Sequence, residues 1–217
     1  MAEATTHDNA MPADTEKNVA ELDAAPDEAS RRTVEAKLIL PGAGPLDAAE
    51  QPSQAELAAL DAAQPMDPNI PSHRVVRVAK GEVGTHESGD NHTKYGRWYG
   101  LDGQPWCDIF VSWVCHEVGQ LKAIGGKHAY VPDHLAWFRK HKRFHHRGAK
   151  GGGPDMGGAI FFDWNGNGSP DHIGIVTGWT ATHVYTVEGN RSDKVVAGKY
   201  SRSYRCILGY GYPIWVS

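Results

Sequence analysis

Gln104 to Val114 reads QPWCDIFVSWV, and this stretch organises the rest of the chain. Trp106, Ile109, Phe110, Trp113, Val114 and Val118 recur at helical spacing, so one stripe of the helix faces a core while its start can open to solvent. Pro105 suits a helix entrance. Cys107 therefore falls in the first turn, where unpaired N–H groups and the positive end of the macrodipole suit the negative charge of an attacking thiolate. The alternative for Cys107 is a small buried apolar residue. A base within reach decides between them.

Aromatic residues divide the chain. All twenty Trp, Tyr and Phe lie at Tyr95 or later. Residues 1–72 carry fourteen acidic and four basic side chains, and residues 73–217 carry twelve acidic and eighteen basic, so a net charge of −4 hides about −10 beside +6. An acidic segment without aromatics buries too little apolar surface to offset chain entropy. Residues 1–72 are therefore expected to be a largely disordered acidic extension, and 73–217 the folded domain. Local helices are expected at 53–64, where Ser53 and Glu56 have capping-box spacing, and around 31–40. The basic domain suits an anionic partner. The densest cluster, KHKRFHHR at 140–147, reads as a solvated helix face, and nucleic acid is not expected. No run reaches membrane-spanning length, and no basic start followed by an apolar run marks a secretory signal. Three cysteines, Cys107, Cys115 and Cys206, do not make a disulfide scaffold.

Along the domain, HRVVRVAKGEVG reads as a helix stopped near Gly81 and Gly84. THESGDNHTKYGRWYGLDGQPW reads as a long surface loop whose Tyr95, Trp98 and Tyr99 line a cleft or cover the core edge. PDHLAWFRKHKRF reads as a second amphipathic helix. Beyond Gly158 the period becomes that of strands in GAIFFDW, HIGIVTGW, HVYTVEGN and CILGYGYPIWV. Helices first and antiparallel strands after predict an α+β domain with helices packed on one side of a sheet.

PWCDIFVSWV around Cys107, DHIGIVTG around His172, and VEGN with Glu188 and Asn190 resemble the cysteine, histidine-dependent amidohydrolase/peptidase (CHAP) domain of papain-like peptidoglycan hydrolases. With the YG pairs and the terminal GYGYP, the resemblance covers about 74–213, and it looks like that of phage lysins. It implies a nucleophile at Cys107, a base at His172, and peptidoglycan as the partner of a monomeric enzyme that requires no cofactor. The residues themselves agree. An imidazole at a strand start can take the thiol proton and return it to a leaving amine if an acceptor holds its other nitrogen. Glu188 and Asn190, two apart on the next strand, share a face and are both expected to approach it, Glu188 as the orienting residue. The Cys107 N–H is the expected half of an oxyanion hole, with Gln104 as a second donor, and Tyr95, Trp98 and Trp106 are the candidates for a substrate cleft. Asp108, where relatives often carry a small residue, is expected to point away from the cleft.

Asp163, Asn165, Asn167 and Asp171 place oxygens at alternate positions around Gly168, the spacing of the first half of a calcium loop. Gly174 stands where the bidentate glutamate belongs, so the loop is either a polar hairpin or a candidate calcium site. The histidines at 116, 128, 134, 141, 145 and 146 match no zinc spacing. The expected function is cleavage of a wall amide, either the N-acetylmuramoyl-L-alanine link or a stem or crossbridge peptide bond. The rivals are a non-catalytic wall-binding module and an intracellular cysteine protease or deamidating toxin. With no Sec signal expected, the setting is host cytoplasm before holin release, or a virion.

Overall fold

Short runs rich in β-branched and aromatic residues, broken by Gly, Asn and Asp, fold here into one antiparallel sheet. The structure is a computed structural model and describes residues 50–216. Its strands are β1 (Phe144–His146), β2 (Ala159–Phe162), β3 (His172–Trp179), β4 (His183–Glu188), β5 (Val196–Ser201) and β6 (Ile207–Gly211), in the order β1-β6-β2-β3-β4-β5. All pairings are antiparallel. Helices α1 (Gln54–Ala63), α2 (Pro71–Gly81), α3 (Lys94–Tyr99), α4 (Cys107–Glu117) and α5 (Val131–Lys140), with a 3-10 turn at Leu121–Ile124, complete the domain. The architecture is α+β.

Alternation along the strands separates two apolar clusters. One joins Phe161, Ile173, Ile175 and Val187 to Ile109, Phe110 and Val114 of α4, so the helix that begins at Cys107 is seated on the sheet. The other gathers Ile160, Phe162, Val176, Val184, Tyr200, Ile207 and Tyr210.

Four sequence expectations change. Ordered structure begins before His73: α2 runs across the expected boundary, and α1 packs on the sheet, with Leu60 buried over Gly178 and the Gln64 amide donating to the Trp179 carbonyl at 2.8 Å. The Ser53–Glu56 capping box of α1 is present; the expected helix near 31–40 lies outside the described residues. The long loop before Cys107 contains α3, which Thr93 caps by accepting from the Gly96 N–H at 2.9 Å and which ends at Gly100 with φ of +92°. Six residues with an internal glycine show too little periodicity to announce a helix. The second amphipathic helix stops at Lys140, and a left-handed Lys142 (φ +56°) turns the chain into β1, so KHKRFHHR is not one helix face. Finally β5 has no counterpart among the expected strands, because Ala197, Gly198 and Lys199 have low strand propensity. Its register against β4 orders it.

Candidate active site

Cys107 opens α4 and keeps 8% of its surface exposed. Trp106 occupies the N-cap position and supplies no side-chain cap, so the first N–H groups of this helix remain without a side-chain acceptor. His172 opens β3 opposite Phe162 and is 6% exposed. Its Nε2 lies 3.0 Å from Glu188 Oε2 at the end of β4. The thiol of Cys107 stands near enough to the same imidazole to raise it, and with Nε2 engaged by Glu188, Nδ1 is the nitrogen left for sulfur. Burial works against charge on His172, but the interactions with Cys107 and Glu188 outweigh it and raise the ring to about 10. Burial likewise opposes the Glu188 anion, yet the bond to His172 leads the effects that hold its carboxyl below the usual range. At neutral pH the two therefore form an imidazolium–carboxylate pair.

The carboxylate is fully buried, and its oxygens are filled. Thr186 Oγ1 donates to Oε1, the Tyr200 hydroxyl lies 2.9 and 3.0 Å from the two oxygens, and Arg191 Nη1 stands 3.6 Å from Oε1. Room for this arrangement comes from two glycines. A Cβ at Gly198 would stand 2.5 Å from Glu188 Oε1 and 2.6 Å from Thr186 Oγ1, and one at Gly174 would stand 2.7 Å from Glu188 Cγ. Thr186, Gly198 and Tyr200 were not singled out by the sequence. Thr186 carried a signal, since it lies two residues before Glu188 on one strand. Gly198 and Tyr200 belong to β5, whose pairing no local pattern reveals. Trp164, also unforeseen, stacks on Phe162 at 4.7 Å between ring centroids and flanks His172 at 6.0 Å.

Other expected site residues go elsewhere. Asn190 falls beyond β4 with φ of +55°, and its amide donates to Asn91 Oδ1 at 3.3 Å instead of sharing the Glu188 face; leaving the strand ends the two-residue period. Tyr95 and Trp106 are fully buried, stacked at 5.4 Å, with the Tyr95 hydroxyl on Glu82 at 2.6 Å and Trp106 Nε1 on Glu87 at 2.9 Å. They are core, not cleft, because each polar tip finds a buried-side carboxylate. Trp98 is half-buried under Lys127, whose Nζ lies 4.6 Å from the ring. Gln104 stands half-buried in the turn before α4. Asp108 turns to His134 Nδ1 at 2.7 Å.

The candidate calcium loop is closed by its own backbone. Asp163 accepts from the N–H groups of Gly166, Asn167 and Gly168, and Asp171 from those of Trp164 and Asn165. Asn165 and Asn167 accept from Asn167 and Ser169. Every oxygen side chain of the spacing is thus engaged by an N–H donor, which fits a hairpin better than a cation cage. Among the described residues no group of three or more His, Cys, Asp or Glu is placed to hold a metal.

Residues 98–190 match the family model of the CHAP domain. Residues 98–190 carry a CHAP domain. The match takes in Cys107, His172 and Glu188 and stops short of β5 and β6, so the Tyr200 support lies outside it. No curated protein matches the chain. A CHAP domain assigns a function of the peptidoglycan-hydrolase type in general. No described helix is long and apolar enough to cross a membrane.

Proposed function

We propose that this CHAP domain hydrolyses an amide bond of peptidoglycan by cysteine nucleophilic catalysis. The observation that carries the reading is one imidazole bonded to the buried carboxylate of Glu188 and raised by the neighbouring Cys107 thiol at the start of α4. With the thiol proton already held on His172, the sulfur forms a bond to the carbonyl carbon. The carbonyl oxygen becomes an oxyanion facing the Cys107 N–H, with Gln104 as the second donor. The carbon–nitrogen bond then breaks, and the amine leaves with the proton held on His172. Water next gives a proton to the imidazole, its oxygen attacks the thioester, and the acid is released as the sulfur leaves with its bonding pair beside the reprotonated ring. Glu188 touches neither substrate nor sulfur in this scheme; it positions the ring and stabilises its charge. The scissile bond is either the N-acetylmuramoyl-L-alanine link or a peptide bond of the stem or crossbridge. The setting that suits a lysin is the wall, reached after release from a host cytoplasm or from a virion.

Cys107→Ala tests the reading: lysis of purified sacculi should fall at least about 10³-fold while sedimentation with the wall persists. Unchanged lysis overturns it. Mass spectrometry of the wild-type digest assigns the bond, since a new amino terminus on L-alanine marks an amidase and one elsewhere an endopeptidase.

A further inference from the structure

A surface cavity of about 400 Å³ opens between the 147–153 segment, Tyr210 of β6 and the turns that follow β3 and β5. Its lining residues do not include Cys107, His172 or Glu188. Arg147 and Arg202 line it, and so does Tyr210. Both guanidiniums are aimed by backbone carbonyls. Arg147 donates to Ile207 and Ser203 at 3.1 and 3.2 Å, and Arg202 to Thr180 and Ala181 at 3.3 and 3.5 Å. Neither has a carboxylate partner among the described residues, so two positive charges are held in place without compensation. The 147–153 segment is pinned opposite them, because the Tyr212 hydroxyl exchanges two bonds of 2.7 Å with the backbone of Gly153. Arg202 Nη2 lies against that glycine.

Tyr210 supplies the second observation. It is 3% exposed, packed among Ile160, Val176 and Ile207, yet its hydroxyl has no hydrogen-bond partner. A buried orphan hydroxyl costs about 1–3 kcal/mol, and a cavity that receives it offers a ligand atom as the missing partner. Burial raises this phenol to about 12, so it keeps its proton and acts as a donor. Two fixed guanidiniums and a tyrosine with a neutral O–H line the cavity, with no acidic residue among the lining. That donor set fits an oxyanion, and the volume leaves room for the polymer unit that bears it.

We propose that this cavity binds an oxyanion, a phosphodiester or a carboxylate, carried by the wall polymer that is cut at Cys107. The oxyanion follows from the donors alone; the wall polymer as its carrier rests on the hydrolase reading. A second contact that shares no residue with the Cys107–His172–Glu188 site lets a weak anion site raise the local concentration of wall at the thiol. It also gives the basic excess of the domain a defined place to act, in Arg202 and Tyr210 beyond the matched span of the CHAP family.

The test titrates the full chain with a glycerol-phosphate oligomer and, separately, with a stem peptide bearing a free carboxylate, reading heat of binding and melting temperature. At least one probe should saturate and raise the melting temperature, and Arg147→Gln and Arg202→Gln should each weaken it at least tenfold. Tyr210→Phe should match or exceed the wild type in ligand-free melting temperature and lose most of the ligand-induced gain. Binding of the oligomer alone assigns a polymer phosphate, and binding of the peptide alone a stem carboxylate; binding of both leaves an oxyanion site open to either. Absence of saturation with both probes overturns the proposal, as does wild-type affinity in all three variants. Because binding is read without turnover, a chain that binds but never lyses sacculi would sink the hydrolase reading alone.

Discussion

Two histidine–carboxylate pairs are buried in this domain, and they differ in what surrounds them. His172 and Glu188 meet at 3.0 Å, His134 and Asp108 at 2.7 Å, and both pairs are withdrawn from water. Around Glu188, two hydroxyls and an arginine complete the carboxylate, and the Cys107 thiol stands near enough to the ring to raise it. Around Asp108 the second oxygen has no partner, nor does His134 Nε2, and the ring of His134 stacks on His128 at 3.9 Å and 5°. Burial first, and His134 second, hold His128 neutral. The same two groups thus form a filled ion pair beside a thiol in one place and a helix-to-helix tie in the other. A partner list, not the pair itself, separates chemistry from packing.

That contrast can be broken by exchanging charge for shape. Glu188→Gln should lower kcat/KM on sacculi roughly 10²- to 10⁴-fold with the fold kept. The pH dependence gives its signature. A raised imidazole stabilises the folded state fully below its unfolded value of about 6.5, and that contribution is lost as pH rises through about 10. Glu188 has the opposite sign: its contribution is present above its unfolded value and lost as pH falls through its lowered folded one. In Glu188→Gln the His172 titration, followed by NMR, should therefore move to lower pH. An unmoved titration would mean that the carboxylate does not hold the charge.

Gly198→Ala should come next. The added carbon meets Glu188 Oε1 at 2.5 Å on a paired strand that cannot easily yield, so activity should drop about tenfold or more and stability by about 1–3 kcal/mol. Asp108→Ala should do the reverse, with a loss of roughly 1–3 kcal/mol in denaturant melts as His134 is left unpartnered, and kcat within about fivefold for the folded fraction. A collapse of kcat matching that of Glu188→Gln would erase the distinction between the pairs. The smallest effect is expected from calcium. With the Asp163 and Asp171 oxygens engaged by the loop's own N–H groups, millimolar calcium should shift the melting temperature by less than about 1 °C. A larger shift would mean that the hairpin surrenders those bonds to the ion.

Local signals carried part of this architecture and stopped at definite residues. The apolar stripe of α4 placed Cys107 at a helix start, the run HIGIVTG placed His172 at a strand start, and Ser53 with Glu56 marked α1. Each is a short-range property, set by period or by a cap within one turn. Trp106 and Tyr95 show where such reading fails: an aromatic next to a reactive residue looks like a cleft wall in sequence, and only the bonds to Glu87 and Glu82 reveal a core.

What the amino-acid order determined by itself was the division into an acidic, aromatic-free segment and a basic domain, the α+β succession, and which sulfur and which imidazole stand at the ends of their elements. Tertiary structure alone decided the bed of Glu188, where β5 brings Gly198 and Tyr200 against it from twelve residues away in sequence at the tyrosine. It also decided that Asn190 leaves the strand and that Asp108 finds His134. The reason is physical: propensity and periodicity act within a few residues, whereas strand register and the filling of a buried carboxylate's lone pairs depend on which distant segments the closed core brings together.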